Sequence, residues 1–286
     1  MNVSTYTLPG DIAATVHAAD SLTPAPTLIL CHGFCGIQPL LLPAFVHAFV
    51  EAGFTAITFD YRGFGASGGE RGRLVPALQI EDIVSVIEWC RSLPEVDSAR
   101  LGLWGTSLGG CHVIAAAADN PDIRCVVSQL AFADGESVVT GAMTAEDKAA
   151  FIATLDKMAD KKAATGKEMF VAITRVLNDE ESKTFFDSHK TAFPAMDIKI
   201  PFLTIRETLH YKPVEFARRL TCPTLVVAAG SDTVNPPEQA VALFDAVAAG
   251  TKKLHTEEGA RHYDIYSGPH FQSVIKQQIA WFRRWL

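Results

Sequence analysis

The stretch "LGLWGTSLGGCH", residues 101–112, decides the fold prediction. It begins with "LGLW", typical of a buried strand, and continues into "SLGGCHVIAAAA", typical of a helix. Between the two lies Gly105-Thr106-Ser107-Leu108-Gly109, a G-x-S-x-G motif. A sharp turn from strand to helix strains the serine backbone and leaves no room for a Cβ at the flanking positions, which explains the glycines. The context on both sides of the motif therefore predicts a nucleophilic serine at position 107.

The rest of the chain alternates short apolar runs with helical segments, which is typical of a mainly parallel sheet flanked by helices. The opening stretches "VSTYTL" and "IAATVHA" predict an antiparallel pair at the sheet edge, and residues 251–256 predict the last strand. The central strands are predicted from short apolar runs bounded by turn residues, at 27–30, 55–59, 101–104, 123–129 and 223–229.

Helices are predicted from apolar residues at a spacing of three and four. This pattern occurs at Ile80, Ile83, Val84 and Ile87, and again at Phe271, Val274, Ile275, Ile279 and Phe282. Asn235 followed by Pro236 predicts the start of another helix, because proline is tolerated where the backbone N–H has no helical partner.

Residues 131–220 interrupt the alternation of strands and helices. This block is rich in Lys, Asp and Glu and reads as several helices. One helical stripe contains Phe151, Leu155 and Met158, and another contains Met169, Phe170, Ile173, Val176 and Leu177. We therefore predict a core of residues 1–130 and 221–286, with 131–220 inserted as a helical cap.

Composition limits the classes of partner. The chain has 286 residues, 48% of them hydrophobic, and a formal net charge of −7. An acidic chain without a basic cluster is not expected to bind nucleic acid or anionic membranes. We see no signal peptide and no run of about 18 apolar residues that could span a membrane. The six cysteines lie mostly in apolar runs, which indicates buried, reduced thiols. Reduced thiols are typical of the cytoplasm, so a cytoplasmic location is expected.

A serine hydroxyl needs a base to remove its proton, and the base needs a carboxylate to orient it. Asp232 follows a predicted buried strand in "TLVVAAGSDTVNPP", and His262 follows the last predicted strand in "GARHYDIYSG". The order Ser, Asp, His is the one expected when the serine sits on such a turn. The alternatives that remain open are Asp134 for the acid, and His255 or His270 for the base.

These motifs resemble the α/β-hydrolase superfamily, and the resemblance covers the chain outside the cap. More narrowly, "FDYRGFGASGGERGRL", "GLWGTSLGG", "AFADG" and "HYDIY" resemble dienelactone-hydrolase-like enzymes and the relatives of cocaine esterase and Xaa-Pro peptidases. Fungal polyketide acyltransferases share a similar pattern. Dienelactone hydrolases themselves use a cysteine nucleophile, whereas this chain has Ser107, so their substrate is not carried over.

The resemblance implies a serine hydrolase that acts on a small acyl substrate, such as an ester or thioester, without a cofactor or metal. Ser107 would attack, His262 would act as base and acid, and Asp232 would orient His262. The backbone N–H groups of Phe34 and Leu108 would form the oxyanion hole. An acyltransferase with the same triad, or a non-catalytic binding protein of the same fold, remains an alternative, and a homodimer is left open.

Other residues invite competing interpretations. Cys31, His32 and Cys35 in "CHGFC" look like metal ligands, but no second pair at zinc-site spacing follows them. Cys35 is expected next to the pocket, within reach of thiol reagents. Asp60 and Arg62 are expected to stabilise the loop after their strand, with a substrate role as the alternative. His112 is expected to pack rather than react. Aromatic residues of the cap that are candidates for lining a substrate pocket are Phe185, Phe186, Phe193 and Tyr211.

Overall fold

The computed structural model describes residues 2–286, which contain ten strands and ten helices. The strands are β1 Asn2–Leu8, β2 Ile12–Ala18, β3 Ala25–Cys31, β4 Thr55–Phe59, β5 Val96–Thr106, β6 Ile123–Gln129, β7 Phe170–Ala172, β8 Lys199–Pro201, β9 Thr224–Ala229 and β10 Lys252–Glu257. The helices are α1 Leu42–Glu51, α2 Pro76–Cys90, α3 Leu108–Ala118, α4 Gly135–Thr140, α5 Ala145–Thr165, α6 Glu180–His189, α7 Thr204–His210, α8 Pro213–Ala217, α9 Pro237–Ala246 and α10 Gly268–Trp285.

Eight of the strands in the described residues form one sheet, in the order β1-β2-β4-β3-β5-β6-β9-β10. β2 pairs antiparallel with both of its neighbours, and all other neighbours pair in parallel. The predicted antiparallel edge and mainly parallel centre are therefore confirmed. Because parallel strands end at the same edge, the loops that follow β3, β5, β6, β9 and β10 all begin on one side of the sheet.

The two faces of the sheet are covered by different helices. Strand side chains alternate between the faces, so Leu28 and Leu30 pack in one core cluster and Ile29 and Cys31 in another. The first cluster includes the buried faces of α1 and α10, and the second includes those of α2 and α3. Burial on both faces explains why the central strands are continuously apolar rather than alternating.

The segment between β6 and β9 contains α4 to α8 and the two-stranded sheet β7-β8. The prediction of a second helical stripe over residues 169–177 is wrong. Phe170–Ala172 is a strand that pairs antiparallel with Lys199–Pro201, and Ile173–Arg175 is a single 3-10 turn. The strand partner lies about thirty residues away in sequence, so the local apolar spacing could not indicate it.

The predicted helix start at Asn235 is also corrected. α9 begins at Pro237, and Pro236 occupies the capping position with φ −52° and ψ 142°. The side chain of Asn235 instead donates from Nδ2 to the carbonyl oxygen of Leu130, at 2.7 Å, and is buried. Asn235 thereby ties the loop after β9 to the end of β6.

No helix within residues 2–286 combines the length and the apolar character needed to cross a membrane.

Candidate active site

Ser107 lies at the junction of β5 and α3, as the motif predicts. Its backbone has φ 54° and ψ −124°, a conformation that residues other than glycine rarely adopt. A hydrogen bond from Ser107 N to Gln129 O, at 2.8 Å, holds the turn against β6. Gly109 makes the turn possible, because a Cβ there would lie 2.3 Å from the carbonyl oxygens of Cys31 and His32. The strained backbone exposes the Ser107 hydroxyl at the carboxyl edge of the sheet.

Asp232 and His262 meet Ser107 at this edge. His262 Nδ1 donates to Asp232 Oδ2 at 2.7 Å, and the Ser107 hydroxyl is 3.2 Å from His262 Nε2. The other carboxylate oxygen of Asp232 accepts hydrogen bonds from the backbone N–H groups of Val234 and Asn235, both at 2.8 Å. With Nδ1 as the donor, Nε2 carries a lone pair that can accept the proton of Ser107. The three side chains form a continuous Asp-His-Ser chain of hydrogen bonds.

The sequence alternatives for the acid and the base are engaged elsewhere. Asp134 caps α4 by accepting from Ser137 N at 3.0 Å, and it also accepts from Lys212 Nζ at 2.7 Å. His255 and His270 both bond to the carboxylate of Glu257, at 3.1 and 3.0 Å. None of the three lines the cavity at Ser107.

Phe34 and Leu108, whose backbone N–H groups are the predicted oxyanion donors, both lie beside Ser107. Leu108 is the first residue of α3, so its N–H has no acceptor within the helix. Gly33 packs directly on the nucleophile, since a Cβ added there would lie 3.1 Å from Ser107 Cβ. Phe34 and Leu108 both line the cavity beside Ser107. Two backbone donors on one side of a serine can stabilise negative charge on a carbonyl oxygen.

The "CHGFC" turn is held by hydrogen bonds within its own loop. His32 Nε2 donates to Leu40 O at 2.7 Å, and His32 Nδ1 accepts from Gly33 N at 2.7 Å. Both ring nitrogens are thus occupied, and burial lowers the pKa of His32. Cys31 and Cys35 are 0% and 2% exposed, and burial raises the pKa of both thiols. Cys35 does not line the cavity, which corrects the expectation that thiol reagents reach it.

Asp60 and Arg62 stabilise loops, as expected. Asp60 is buried and accepts from the backbone N–H groups of Gln38 and Ala66, at 2.8 and 2.9 Å. Arg62 Nε donates to Asp82 at 2.7 Å, away from Ser107. Asp60 therefore links the loop after β3 to the loop after β4, and neither residue lines the cavity.

A buried chain of polar side chains lies behind Ser107, and sequence analysis missed it. Tyr266 and Thr106 share a hydrogen bond at 2.5 Å, and Gln129 Nε2 donates to Thr106 Oγ1 at 3.1 Å. Gln278 donates to Gln129 at 2.6 Å and accepts from Trp104 Nε1 at 2.8 Å. The one available signal was Gln278, a polar residue that lies within the apolar stripe of the last helix and is buried. These hydrogen bonds link α10 to the ends of β5 and β6 next to Ser107.

A cavity of about 600 Å³ opens onto Ser107 and His262. Much of its apolar wall comes from the segment between β6 and β9, which contributes Phe132, Val138, Val139, Met143, Phe151, Val176, Leu177, Phe185, Phe186, Phe202 and Ile205. Phe193 and Tyr211, which were candidate lining residues, do not line it. Tyr211 instead bonds to His112 Nδ1 at 3.0 Å, and His112 Nε2 bonds to Gln79 at 2.9 Å. His112 is thus a packed core residue.

Comparison with known proteins relates most of the chain to a hydrolase family. Residues 23–265 match the family model described as "Serine aminopeptidase, S33". An Escherichia coli protein, named "Uncharacterized 31.7 kDa protein in traX-finO intergenic region", is 57% identical over 286 residues, which cover 100% of both chains. The quorum-quenching protein AidA of Acinetobacter baumannii is 29% identical over 91% of this chain and 86% of its own.

More distant relatives include fungal enzymes named as thiohydrolases and as polyketide transferases, at 26% and 22% identity in two examples. Among solved structures, DcsB in complex with its substrate analogue superposes with a TM-score of 0.86 at 23% identity, over 100% of both chains. At this identity the likeness shows the fold, and it confirms the predicted α/β-hydrolase architecture. The narrower resemblance to dienelactone-hydrolase-like enzymes and cocaine esterase stays a prediction.

Since the family model spans most of the chain and the structural match extends over all of it, the chain belongs to the serine aminopeptidase S33 family and has the α/β-hydrolase fold.

Proposed function

We propose that this chain is a serine hydrolase that cleaves an ester or thioester of an apolar acyl group. The observation that carries the proposal is the pair of contacts made by His262, 2.7 Å to Asp232 and 3.2 Å to Ser107, at the wall of a cavity of about 600 Å³. The matched family model is described as a serine aminopeptidase, and a relative at 26% identity is named as a thiohydrolase. The mainly apolar wall favours an acyl chain over a polar substrate.

In the proposed reaction, Ser107 Oγ attacks the carbonyl carbon while His262 Nε2 takes its proton. The N–H groups of Phe34 and Leu108 donate to the oxyanion of the tetrahedral intermediate. His262 then gives the proton to the leaving alcohol or thiol, and an acyl-enzyme on Ser107 remains. His262 Nε2 then takes a proton from a water molecule, whose oxygen attacks the acyl carbon. The bond between Ser107 Oγ and the acyl carbon breaks as His262 returns this proton to Ser107 Oγ, which releases the acid and restores the free enzyme. Asp232 keeps His262 in the tautomer that these steps need, and His262 Nε2 carries the proton in every transfer.

We further propose that residues 131–220 act as a cap that selects the substrate. The support is their contribution of eleven apolar residues to the cavity wall, from Phe132 to Ile205. On this proposal, hydrolysis rates should depend on acyl chain length, because burial of each additional CH₂ contributes about 0.8 kcal/mol while the chain still fits. A panel of p-nitrophenyl esters and acyl thioesters of increasing length, with kcat/KM measured for each, tests this dependence.

Transfer of the acyl group to an alcohol or amine is the second candidate reaction. It is favoured by the relatives named as polyketide transferases. The two reactions share the acyl-enzyme and differ in what attacks it, so the ratio of ester to acid products with and without an added alcohol separates them. An ester product that dominates at millimolar alcohol would establish the transferase.

Labelling by a fluorophosphonate probe tests the nucleophile directly. Wild type should label covalently at Ser107, and Ser107→Ala should not label. Ser92→Ala is the matched control, because Ser92 is an exposed serine whose hydroxyl bonds only to Trp89 O within the described residues. Equal labelling of wild type and Ser107→Ala, or no labelling of either, would contradict the proposal.

A further inference from the structure

One carboxylate of α6 contacts both loops that present the acid and the base. Glu181 Oε1 accepts from the backbone N–H of Tyr263 at 3.2 Å, and Tyr263 directly follows His262. Glu181 Oε2 accepts from Thr233 Oγ1, also at 3.2 Å, and Thr233 directly follows Asp232. These two loops leave different strands, β10 and β9. Glu181 therefore bridges them from the side opposite the sheet.

Neighbouring residues of α6 hold Glu181 in this place. Ser182 Oγ lies 3.2 Å from the hydroxyl of Tyr263. The ring of Phe185 stacks on the ring of Tyr263, with centroids 4.1 Å apart and planes 12° from parallel. Asp179 caps the helix by accepting from Ser182 N at 2.7 Å. The first turn of α6 is thus fixed on the loop that carries His262, and the bridge does not depend on a freely moving side chain.

We infer that Glu181 is a positioning residue that sets the relative placement of His262 and Asp232, an inference that rests on the triad chemistry proposed above. Proton transfer from Ser107 needs His262 within hydrogen-bond reach, and the present 3.2 Å is already at the long end of that range. A small displacement of the His262 loop would break this contact. Glu181 prevents such a displacement because its carboxylate binds both Tyr263, which follows His262, and Thr233, which follows Asp232.

The alternative is that Glu181 only anchors α6 as part of the pocket wall. Lys183, Phe185 and Phe186 of the same helix line the cavity, so loosening α6 would also disturb substrate binding. The two roles affect different measurements. A displaced His262 lowers kcat for every ester and slows labelling by a small phosphonate, whereas a loosened wall changes KM and the preference for chain length.

The test uses three variants in the full-length chain. Glu181→Ala removes both hydrogen bonds. Glu181→Gln keeps an oxygen acceptor for Tyr263 N and offers an amide donor to the Thr233 hydroxyl, so it should restore the bridge. Glu180→Ala is the matched control, because Glu180 is the preceding glutamate on the same helix, is exposed, and its carboxylate has no hydrogen-bond partner within residues 2–286.

For Glu181→Ala we expect kcat and the fluorophosphonate labelling rate to fall by about tenfold or more, with KM changed by less than about threefold. Glu181→Gln should recover most of the loss, and Glu180→Ala should match wild type. If Glu181→Ala does not fold, Thr233→Val decides, because it removes one of the two bonds at nearly constant volume and should slow labelling by a smaller factor.

Labelling of Glu181→Ala at the wild-type rate overturns the inference, and so does a change confined to KM. Failure of Glu181→Gln to restore kcat also contradicts it, since both hydrogen bonds can form in that variant. Where Glu181→Ala is unfolded, wild-type labelling of Thr233→Val overturns it. Failure of the proposed function gives a different result, because wild type itself would then not label.

Discussion

Gly109→Ala tests the packing that places the nucleophile. Gly109 is the last residue of the G-x-S-x-G motif and the second residue of α3. The Cβ of an alanine here would lie 2.3 Å from Cys31 O and 2.3 Å from His32 O. Both are backbone atoms, at the end of β3 and at the start of the loop that carries Phe34, so no side chain can rotate away. The helix and the loop must separate by about 1 Å to reach ordinary van der Waals contact.

The size of the effect follows from this separation. Overpacking of a close-packed interior costs about 1–3 kcal/mol, and rigid backbone neighbours favour the upper end of that range. Replacing glycine by alanine in a helix returns about 1 kcal/mol. We therefore expect the free energy of unfolding to fall by about 2 kcal/mol. Because the same separation moves Leu108 N away from Phe34 N, we expect kcat to fall by about 10²-fold.

Urea denaturation measures the change in stability, and p-nitrophenyl ester hydrolysis measures kcat. Gly250→Ala is the control, because a Cβ at Gly250 meets no atom within 4 Å and the residue is exposed. Its free energy of unfolding should stay within about 0.5 kcal/mol of wild type. Wild-type stability of Gly109→Ala would refute the packing argument. Loss of stability with wild-type kcat would refute the link between this contact and the oxyanion hole.

Three further predictions concern the acid, the cysteines and a buried histidine. Asp232→Asn should lower kcat by about 10³-fold or more in ester hydrolysis with a small change in KM, because His262 loses the carboxylate that sets its tautomer, and a loss below about tenfold would contradict the assigned acid. The double variant Cys31→Ala, Cys35→Ala should keep at least about a tenth of wild-type kcat/KM, and EDTA should not inhibit the wild-type enzyme. Inhibition of the wild type by EDTA would instead indicate that the turn holds a metal ion. Burial lowers the pKa of His112 from 6.5 to about 3, so the unfolded chain binds a proton that the folded chain excludes. The free energy of unfolding should therefore fall as pH drops from about 6.5 toward 3, by at most about 1.4 kcal/mol per pH unit, and urea titrations between pH 7 and 5 should give a shallower slope for His112→Gln.

The central strands were predictable because burial on both faces of the sheet requires a continuous run of apolar residues, which is visible in the local sequence. Thr55–Phe59 and Ile123–Gln129 begin and end at the predicted residues. β7 was not predictable, since its partner β8 is distant in sequence and three residues carry too short a pattern. Asn235 followed by Pro236 predicts a helix start, because asparagine before proline commonly begins a helix. Its actual hydrogen bond to Leu130 crosses 105 residues of sequence.

For the candidate site as well, the sequence indicated some residues and could not indicate their contacts. Ser107 could be selected from its motif, whereas positions after predicted strands gave only candidates for the acid and the base. The sequence could not separate His262 from His255 and His270. In the structure the three histidines differ in their contacts, because the carboxylate of Glu257 bonds to His255 and His270 while Asp232 bonds to His262. Side-chain partners of this kind depend on which loops meet in space.

By itself, the sequence determined the class of fold and the serine turn, and it predicted an acid and a base in that order. These features depend on apolar periodicity and on residue type at neighbouring positions. Only the tertiary structure decided what surrounds them. The polar chain from Tyr266 to Trp104, the bridge made by Glu181 and the wall of the cavity join residues from strands, helices and loops far apart along the chain. Hydrogen bonds and packing act over a few ångströms in space regardless of sequence distance, so no local pattern encodes them.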